Sequence, residues 1–151
     1  MTAFVTGGAG FLLAVLWFDL MFDVQVLAHR GRDDLPEEVL ASIAGYYRRV
    51  TTAARPMNRL IGAVMLATIA AIVVQILGND DPGWVAWASL ALVSSAVAIA
   101  ALSTFPSAVR LGARTDPVDV QSGLARSIWR DHVRCLALVA SVLVIQLAFA
   151  G

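Results

Sequence analysis

Two carboxylates stand one helical turn apart inside an apolar stretch near the N-terminus. Asp19 and Asp23 both lie in "FLLAVLWFDLMFDVQVLAHR", residues 11–30. A charged side chain at the centre of a membrane helix costs about 3 kcal/mol unless it is paired, neutralised or reached by water. Because residues i and i+4 share one helix face, both acids point the same way. They are therefore candidates for proton transfer or for balancing a cation.

The cations that could face these acids lie at the ends of two other apolar segments. Arg130 and Arg134 stand one turn apart on the last segment, whereas Arg55, Asn58 and Arg59 open the second. We expect a network of the two aspartates with Arg134, Arg59 and Asn58, which would satisfy both signs of charge. Two interpretations stay open. Either the network only joins the helices, or an acidic or phenolic head group is held in a polar cavity. The residues that would bind it are Arg55, Asn58, Arg59, Arg130 and Arg134.

The two histidines, His29 and His132, lie near the ends of the first and last apolar segments. Haem ligation requires both rings to meet at a shared gap, and a metal site requires further converging ligands. Neither spacing forms a known metal motif, so we expect no haem, no metal and no other cofactor. If the chain is an enzyme, His132 is the candidate catalytic base. No nucleic-acid motif is present, and the single cysteine excludes an internal disulfide.

These residues must be positioned by elements that lie in a membrane. Of the 151 residues, 59% are hydrophobic and only 15% are charged, which is too apolar for a soluble domain. Four segments approach the roughly 20 residues that a helix needs to cross the hydrocarbon core. Lipid offers no partners to backbone groups, so we predict a single all-α domain, an integral membrane four-helix bundle. The predicted spans are residues 3–28, 57–77, 84–102 and 133–150.

The arginines are distributed on one side of this bundle. All 11 cationic residues are arginines, and they lie in or beside the connectors between spans one and two and between spans three and four. The positive-inside rule then predicts a multi-pass protein of the cell membrane with both termini on the non-cytoplasmic side. No basic region precedes Phe4, so we expect the first span to be retained.

The connectors also contain helix signals. Asp34 and Pro36 suit the start of a helix, and Val39 and Ile43 begin an apolar stripe, so residues 35–55 are predicted to form an amphipathic interfacial helix. That helix would lie on the lipid surface or pack as an elbow against the bundle. Pro117 begins a second helix, and residues 117–132 would extend span four into the cytoplasm.

An internal similarity relates the second and fourth spans. A shift of 71 residues superposes Gln75 on Gln146 and Arg59 on Arg130, which suggests a parallel repeat of two hairpins. Near the N-terminus, Gly7 lies four residues from Ala3, in the small-xxx-small spacing that permits close helix packing in the bundle or in a dimer.

Two stretches resemble a known family. "YYRRVTTAARPMNRLIG", residues 46–62, and "WRDHVRCLALVA", residues 129–140, resemble the anthrone-oxygenase-like family of small four-span membrane proteins. The resemblance implies a polar site containing Asn58, His132 and Arg134 that acts on a phenolic polyketide without a metal. The aspartates of the first span depart from that family.

The leading functional hypothesis is a membrane protein whose polar, cytoplasmic-side cavity binds an amphipathic acidic small molecule or a membrane lipid. A cofactor-independent oxygenase with His132 as base is the second hypothesis. The third is a proton-linked carrier or channel, which would need a homo-oligomer because four helices leave little room for a path. A structural subunit of a membrane complex is the fourth. Enzymatic activity therefore stays open.

Overall fold

A computed structural model of the protein describes residues 1–53, 55–78 and 82–149. Within these ranges the regular structure is entirely helical. Four helical segments are long and apolar enough to cross a membrane: Thr2–His29, Pro56–Leu77, Gly83–Ala113 and Val118–Phe149. The predicted all-α membrane bundle is confirmed. The predicted last residue of span four, Ala150, lies outside the described residues.

The described residues form six α-helices, and three of these continue into a 3-10 or π-helical turn. Helix α1 continues into a 3-10 turn, α2 into a π-helical turn, and α4 passes through a π-helical turn into α5. The bounds are α1 Thr2–Asp23 with Val24–His29, α2 Glu37–Tyr47 with Arg48–Ala53, α3 Arg55–Leu77, α4 Gly83–Ile99 with Ala100–Thr104, α5 Phe105–Ala113 and α6 Val118–Phe149.

Local sequence explains several of these ends. Pro36 is the N-cap of α2, and Glu37 and Glu38 occupy its first turn, where the positive end of the helix dipole favours acids. Pro106 lies in the first turn of α5, where its missing N–H would break the ladder of a continuous helix. The π-helical turn Ala100–Thr104 precedes that proline and absorbs the irregularity.

The four long helices pack in a ring. Helix α1 packs against α3 and α6, and α4 packs against the same two, so α3 and α6 lie on one diagonal of the bundle. The core near the chain termini contains Val5, Ala9, Leu12, Ala71, Ile72, Val93, Ala96, Cys135, Val139 and Val142. A Cβ on Gly8 would collide with the Thr68 hydroxyl, whereas one on Gly7 would meet nothing. Close packing of α1 on α3 therefore depends on Gly8 and not on the predicted Gly7.

A second core lies at the other end of the molecule. It is formed by the 3-10 turn, α2, α5 and the start of α6, with Val26, Leu35, Val39, Leu40, Ile43, Ala44, Tyr47, Ala108, Leu111, Ala125 and Ile128. A Cβ on Gly112 of α5 would lie 2.9 Å from the backbone nitrogen of Arg48, so glycine is needed for α5 to approach α2. The apolar face of α2 is thus covered by protein.

The length of the helices accommodates both cores. The segment from α4 to α5 has 31 residues and α6 has 32. A span needs only about 20 residues, so the excess extends beyond the hydrocarbon core at the end that carries α2.

Candidate functional site

The aspartates of α1 lie where the two cores meet. Asp19 and Asp23 share a helix face that points toward α2 and α6. The Asp23 side chain is fully buried, and that of Asp19 is 15% exposed. Each buried carboxylate needs hydrogen-bond donors, because burial without partners would cost several kcal/mol.

Helix α2 supplies two of these donors through consecutive tyrosines. The Tyr46 hydroxyl donates to Asp19 Oδ1 at 2.6 Å, and the Tyr47 hydroxyl donates to Asp23 Oδ1 at 2.6 Å. The Tyr46 ring also stacks on Phe22 of α1, with ring centres 4.1 Å apart. The two tyrosines thus bind the C-terminal end of α2 to α1.

Helix α6 contributes His132 between the two acids. Its Nδ1 lies 2.6 Å from Asp23 Oδ2, and its Nε2 lies 3.7 Å from Asp19 Oδ2. The Tyr47 hydroxyl lies 3.3 Å from the same Nδ1. The Nδ1 of His132 is thus within hydrogen-bond distance of Asp23, and its Nε2 faces Asp19 at a longer distance. We call Asp19, Asp23, Tyr46, Tyr47 and His132 the polar cluster.

The electrostatics of the polar cluster keep its phenols protonated. Burial, followed by the charge of the neighbouring aspartates, raises the pKa of Tyr46 and of Tyr47 far above the usual value. Both hydroxyls therefore stay hydrogen-bond donors at every physiological pH. Within the described ranges, no three His, Cys, Asp or Glu side chains are arranged to hold a metal ion. The cluster can hold protons and can join α1, α2 and α6.

The expected arginine partners lie elsewhere. Arg134 Nη1 is 3.4 Å from Asp131 Oδ1, and the Arg134 side chain is 66% exposed. Arg59 and Arg130 are exposed and Asn58 is half-buried. In the part of the chain that the structure describes, none of these four binds either acid of α1. The side chain of Arg55 lies outside the described residues.

Helix geometry gives the reason for this difference. Arg130 and Arg134 each stand two residues from His132, which places them about 200° around α6 from it. Because His132 faces α1, both arginines face outward. The expected pairing of the aspartates with Arg134 is therefore wrong, and the histidine takes its place.

The two tyrosines of the cluster have a signal in the sequence. Tyr46 and Tyr47 belong to the apolar stripe of α2, and a buried tyrosine usually finds a partner for its hydroxyl. The two aspartates of α1 are acceptors that need donors. His29, the other histidine, lies in the 3-10 turn after α1 and takes no part in the cluster.

A smaller polar group adjoins the cluster on the other side of α6. Asp131 is buried and accepts a hydrogen bond from the Ser103 hydroxyl at 2.6 Å. Ser103 lies in the π-helical turn between α4 and α5. The adjacent residues Asp131 and His132 thus connect α6 to α4 and to α1 respectively.

An amide layer lies near the opposite end of the bundle. Gln75 and Gln146 exchange two hydrogen bonds of 3.1 Å, and Gln146 also donates to the Ser89 hydroxyl at 3.0 Å. These glutamines are the pair that the shift of 71 residues superposes. They meet across the diagonal between α3 and α6, which run in the same direction through the bundle.

Comparison with known proteins identifies the family. The family model SHR3_chaperone, described as "ER membrane protein SH3", matches residues 1–151. No curated protein and no solved structure matches the chain. The chain therefore belongs to the SHR3 chaperone family and is an integral membrane protein.

The resemblance to the anthrone-oxygenase-like family is wrong, because the matching family is a different one. The site implied by that resemblance is also not assembled. His132 is bound to Asp23 and Arg134 to Asp131, and among the described residues Asn58 is hydrogen-bonded to neither His132 nor Arg134. The short stretches that carried the resemblance reflect features that many four-span proteins share, namely polar residues at the ends of apolar helices.

Proposed function

We propose that this member of the SHR3 chaperone family is a membrane-embedded chaperone that assists other multi-span proteins in the endoplasmic reticulum membrane. The match of the family over residues 1–151 carries the proposal. Four helices able to span a membrane agree with a chaperone whose clients are also in the bilayer. This assignment replaces the cell membrane location expected from the sequence with the endoplasmic reticulum.

The geometry of the polar cluster supports a structural role within this protein. Asp19, Asp23 and His132 are engaged with one another or with the tyrosines of α2. Each carboxylate already has its donors, and the arginines that might have bound an acidic ligand face away from them. The cluster is therefore better suited to fastening α2 to the bundle than to catalysis or to holding a ligand.

The outer surface of the bundle is suited to contact with apolar helices. Trp17, Phe18 and Met21 on α1 are 63%, 62% and 58% exposed. In a membrane these side chains contact either lipid tails or the helices of another protein. A client helix would gain dispersion contacts with them where its own partners are not yet in place.

The arginine distribution supports one orientation for the chaperone. The described arginines lie at the end of the molecule that carries α2 and α5. Under the positive-inside rule this end faces the cytosol, and both termini face the lumen. A protease-protection assay on tagged termini tests the orientation: termini cleaved without opening the membrane would refute it.

Depletion of the protein tests the proposed activity. We expect multi-span proteins of the endoplasmic reticulum to aggregate or to be retained, while soluble secreted proteins leave normally. A photo-crosslinking residue at Phe18 should capture newly made multi-span proteins, whereas the same residue at the exposed Ala41 of α2 should not. Two results together would exclude the proposal: normal folding and export of multi-span proteins after depletion, and crosslinks from position 18 to lipid but to no protein.

A further inference from the structure

The outward face of α6 is cationic at one end and apolar along the rest. Arg130, Arg134, Ala137, Ser141 and Val144 follow one another at intervals of four or three residues, so they lie on one helix face. All five are exposed. We call these five residues the outer stripe of α6.

The described residues balance the positive charge of the outer stripe only in part. Arg130 and Arg134 stand at i and i+4, where like charges destabilise a helix. Arg134 has one carboxylate nearby, Asp131 at 3.4 Å, and its side chain is 66% exposed. Arg130 contacts no carboxylate in the described ranges. Most of the N–H donors of these two guanidinium groups are therefore free to bind an external anion.

Three other arginines at this end of the molecule bind protein oxygen atoms. Arg110 forms two hydrogen bonds of 2.8 Å to Asp116, and Arg114 is bound to Glu37. Arg126, one turn before Arg130, donates to two backbone carbonyls of the loop that precedes α2. Arg110, Arg114 and Arg126 are thus bound to protein groups, whereas among the described residues Arg130 contacts no carboxylate and Arg134 contacts only Asp131.

Neighbouring residues place the two arginines at the membrane boundary. Trp129 is adjacent to Arg130 in sequence, and the Arg30 guanidinium lies 5.7 Å from the centre of its ring. Tryptophan is enriched at the level of the lipid head groups. Beyond Arg134 the stripe continues as Ala137, Ser141 and Val144, and Val144 is 63% exposed. The cationic end therefore lies at head-group depth and the rest at the depth of the acyl chains.

We propose that the outer stripe of α6 binds an anionic phospholipid. The lipid phosphate accepts hydrogen bonds from Arg130 and Arg134, whose planar guanidinium groups match phosphate oxygens in pairs. One acyl chain lies along Ala137, Ser141 and Val144. A soluble phosphate would use only the arginines, so the apolar continuation of the stripe favours a lipid. This proposal is independent of the chaperone function.

Lipid binding by the purified full-length chain in detergent tests this proposal. Native mass spectrometry would measure the affinity for phosphatidylserine and for phosphatidylcholine. The test variant is R130Q/R134Q. The matched control is R48Q/R49Q, which removes the same charge from two exposed arginines that bind no carboxylate in the described ranges. Circular dichroism and thermal unfolding would compare the fold of each variant with that of the wild type.

We expect the wild type to prefer phosphatidylserine over phosphatidylcholine. R130Q/R134Q should weaken phosphatidylserine binding about 30-fold, the factor that corresponds to about 1 kcal/mol for each arginine near a membrane surface. The control should change it less than about threefold. Should the double variant unfold, the single variant R130Q, which breaks no ion pair among the described residues, is expected to lose about fivefold.

Three results would overturn the proposal. An equal loss in the control would mean that overall charge, and not the outer stripe, attracts the lipid. Equal affinity of the wild type for the two lipids would exclude a phosphate site for anionic lipids. Competition by glycerol phosphate at the same concentration as the lipid would show that the site binds a free anion and that the apolar stripe contributes nothing.

Discussion

The substitution Tyr47→Phe tests the polar cluster most directly, because Tyr46→Phe provides a matched control. Both tyrosines donate to an aspartate at 2.6 Å, so the two changes remove the same hydroxyl at the same distance. The acceptors differ in burial: Asp23 is fully buried, whereas the Asp19 side chain is 15% exposed. Water or a lipid head group can replace the lost donor at Asp19 but not at Asp23.

The expected magnitudes follow from that difference. A hydrogen bond to a charged group contributes about 1.5 to 3 kcal/mol, more than the average bond between membrane helices. We expect Tyr47→Phe to lower the free energy of unfolding by about 2.5 kcal/mol, because the buried Asp23 then keeps only His132 as a donor. Tyr46→Phe should lower it by about 1 kcal/mol, since its ring still stacks on Phe22.

Reversible unfolding in mixed micelles, followed by circular dichroism, would measure both values. The double substitution Tyr47→Phe with Asp23→Asn is the control for coupling: removing the charge should recover part of the loss. A cost for Tyr47→Phe no larger than that for Tyr46→Phe would refute the reasoning from burial. No cost for either variant would mean that α2 is held by its apolar face alone.

Three further predictions concern the cluster and the helix contacts. His132→Ala should destabilise the protein by about 3 to 5 kcal/mol, because it leaves the buried Asp23 and the partly exposed Asp19 without the imidazole between them, and Asp23→Asn should partly rescue it in thermal unfolding. The only two tyrosines of the chain have raised pKa values when folded, so near-ultraviolet tyrosinate absorbance should not appear near pH 10 until the protein unfolds. Because the folded state keeps protons that the unfolded chain releases, this stability is present below about pH 10 and is lost as the pH rises further. Gly8→Ala should lower the melting temperature, whereas Gly7→Ala, which meets open space, should leave it within error.

The membrane helices could be predicted from sequence because one strong signal decides them. A run of about 20 apolar residues has few other stable structures in a bilayer, and all four predicted spans correspond to long helices. The signal does not fix where such a helix stops. The third predicted span ended at residue 102, yet the helical segment continues through a π-helical turn to Ala113. The additional helix, α5, lies outside the hydrocarbon core and is stabilised by its packing against α2.

The site was predictable in part. The two aspartates can be recognised because charge in a membrane span is costly, and both lie in a polar cluster that is buried at Asp23. Their partners were missed because a charge balance alone suggested arginine. Rotation about α6 decides the question, and it places His132 inward and Arg134 outward. At 100° per residue, the positions of His132 and Arg134 around α6 predict that they face opposite sides of the helix. The contact of α2 with α1 depends on tertiary packing, which no local sequence pattern predicts.

The polar cluster and the amide layer lie at opposite ends of the bundle, and each favours one arrangement of the membrane helices over the alternatives. Lipid tails are as apolar as leucine, so hydrophobic burial distinguishes poorly between alternative arrangements of helices in a membrane. A buried polar group does distinguish them, because any other register leaves it without a partner. Gln75 and Gln146 fix the diagonal of α3 and α6, while Asp23 and His132 fix α1 against α6. The tyrosines of α2 bind the same aspartates and so fix α2 relative to α1. The polar cluster therefore sets the position of the second core relative to the membrane helices.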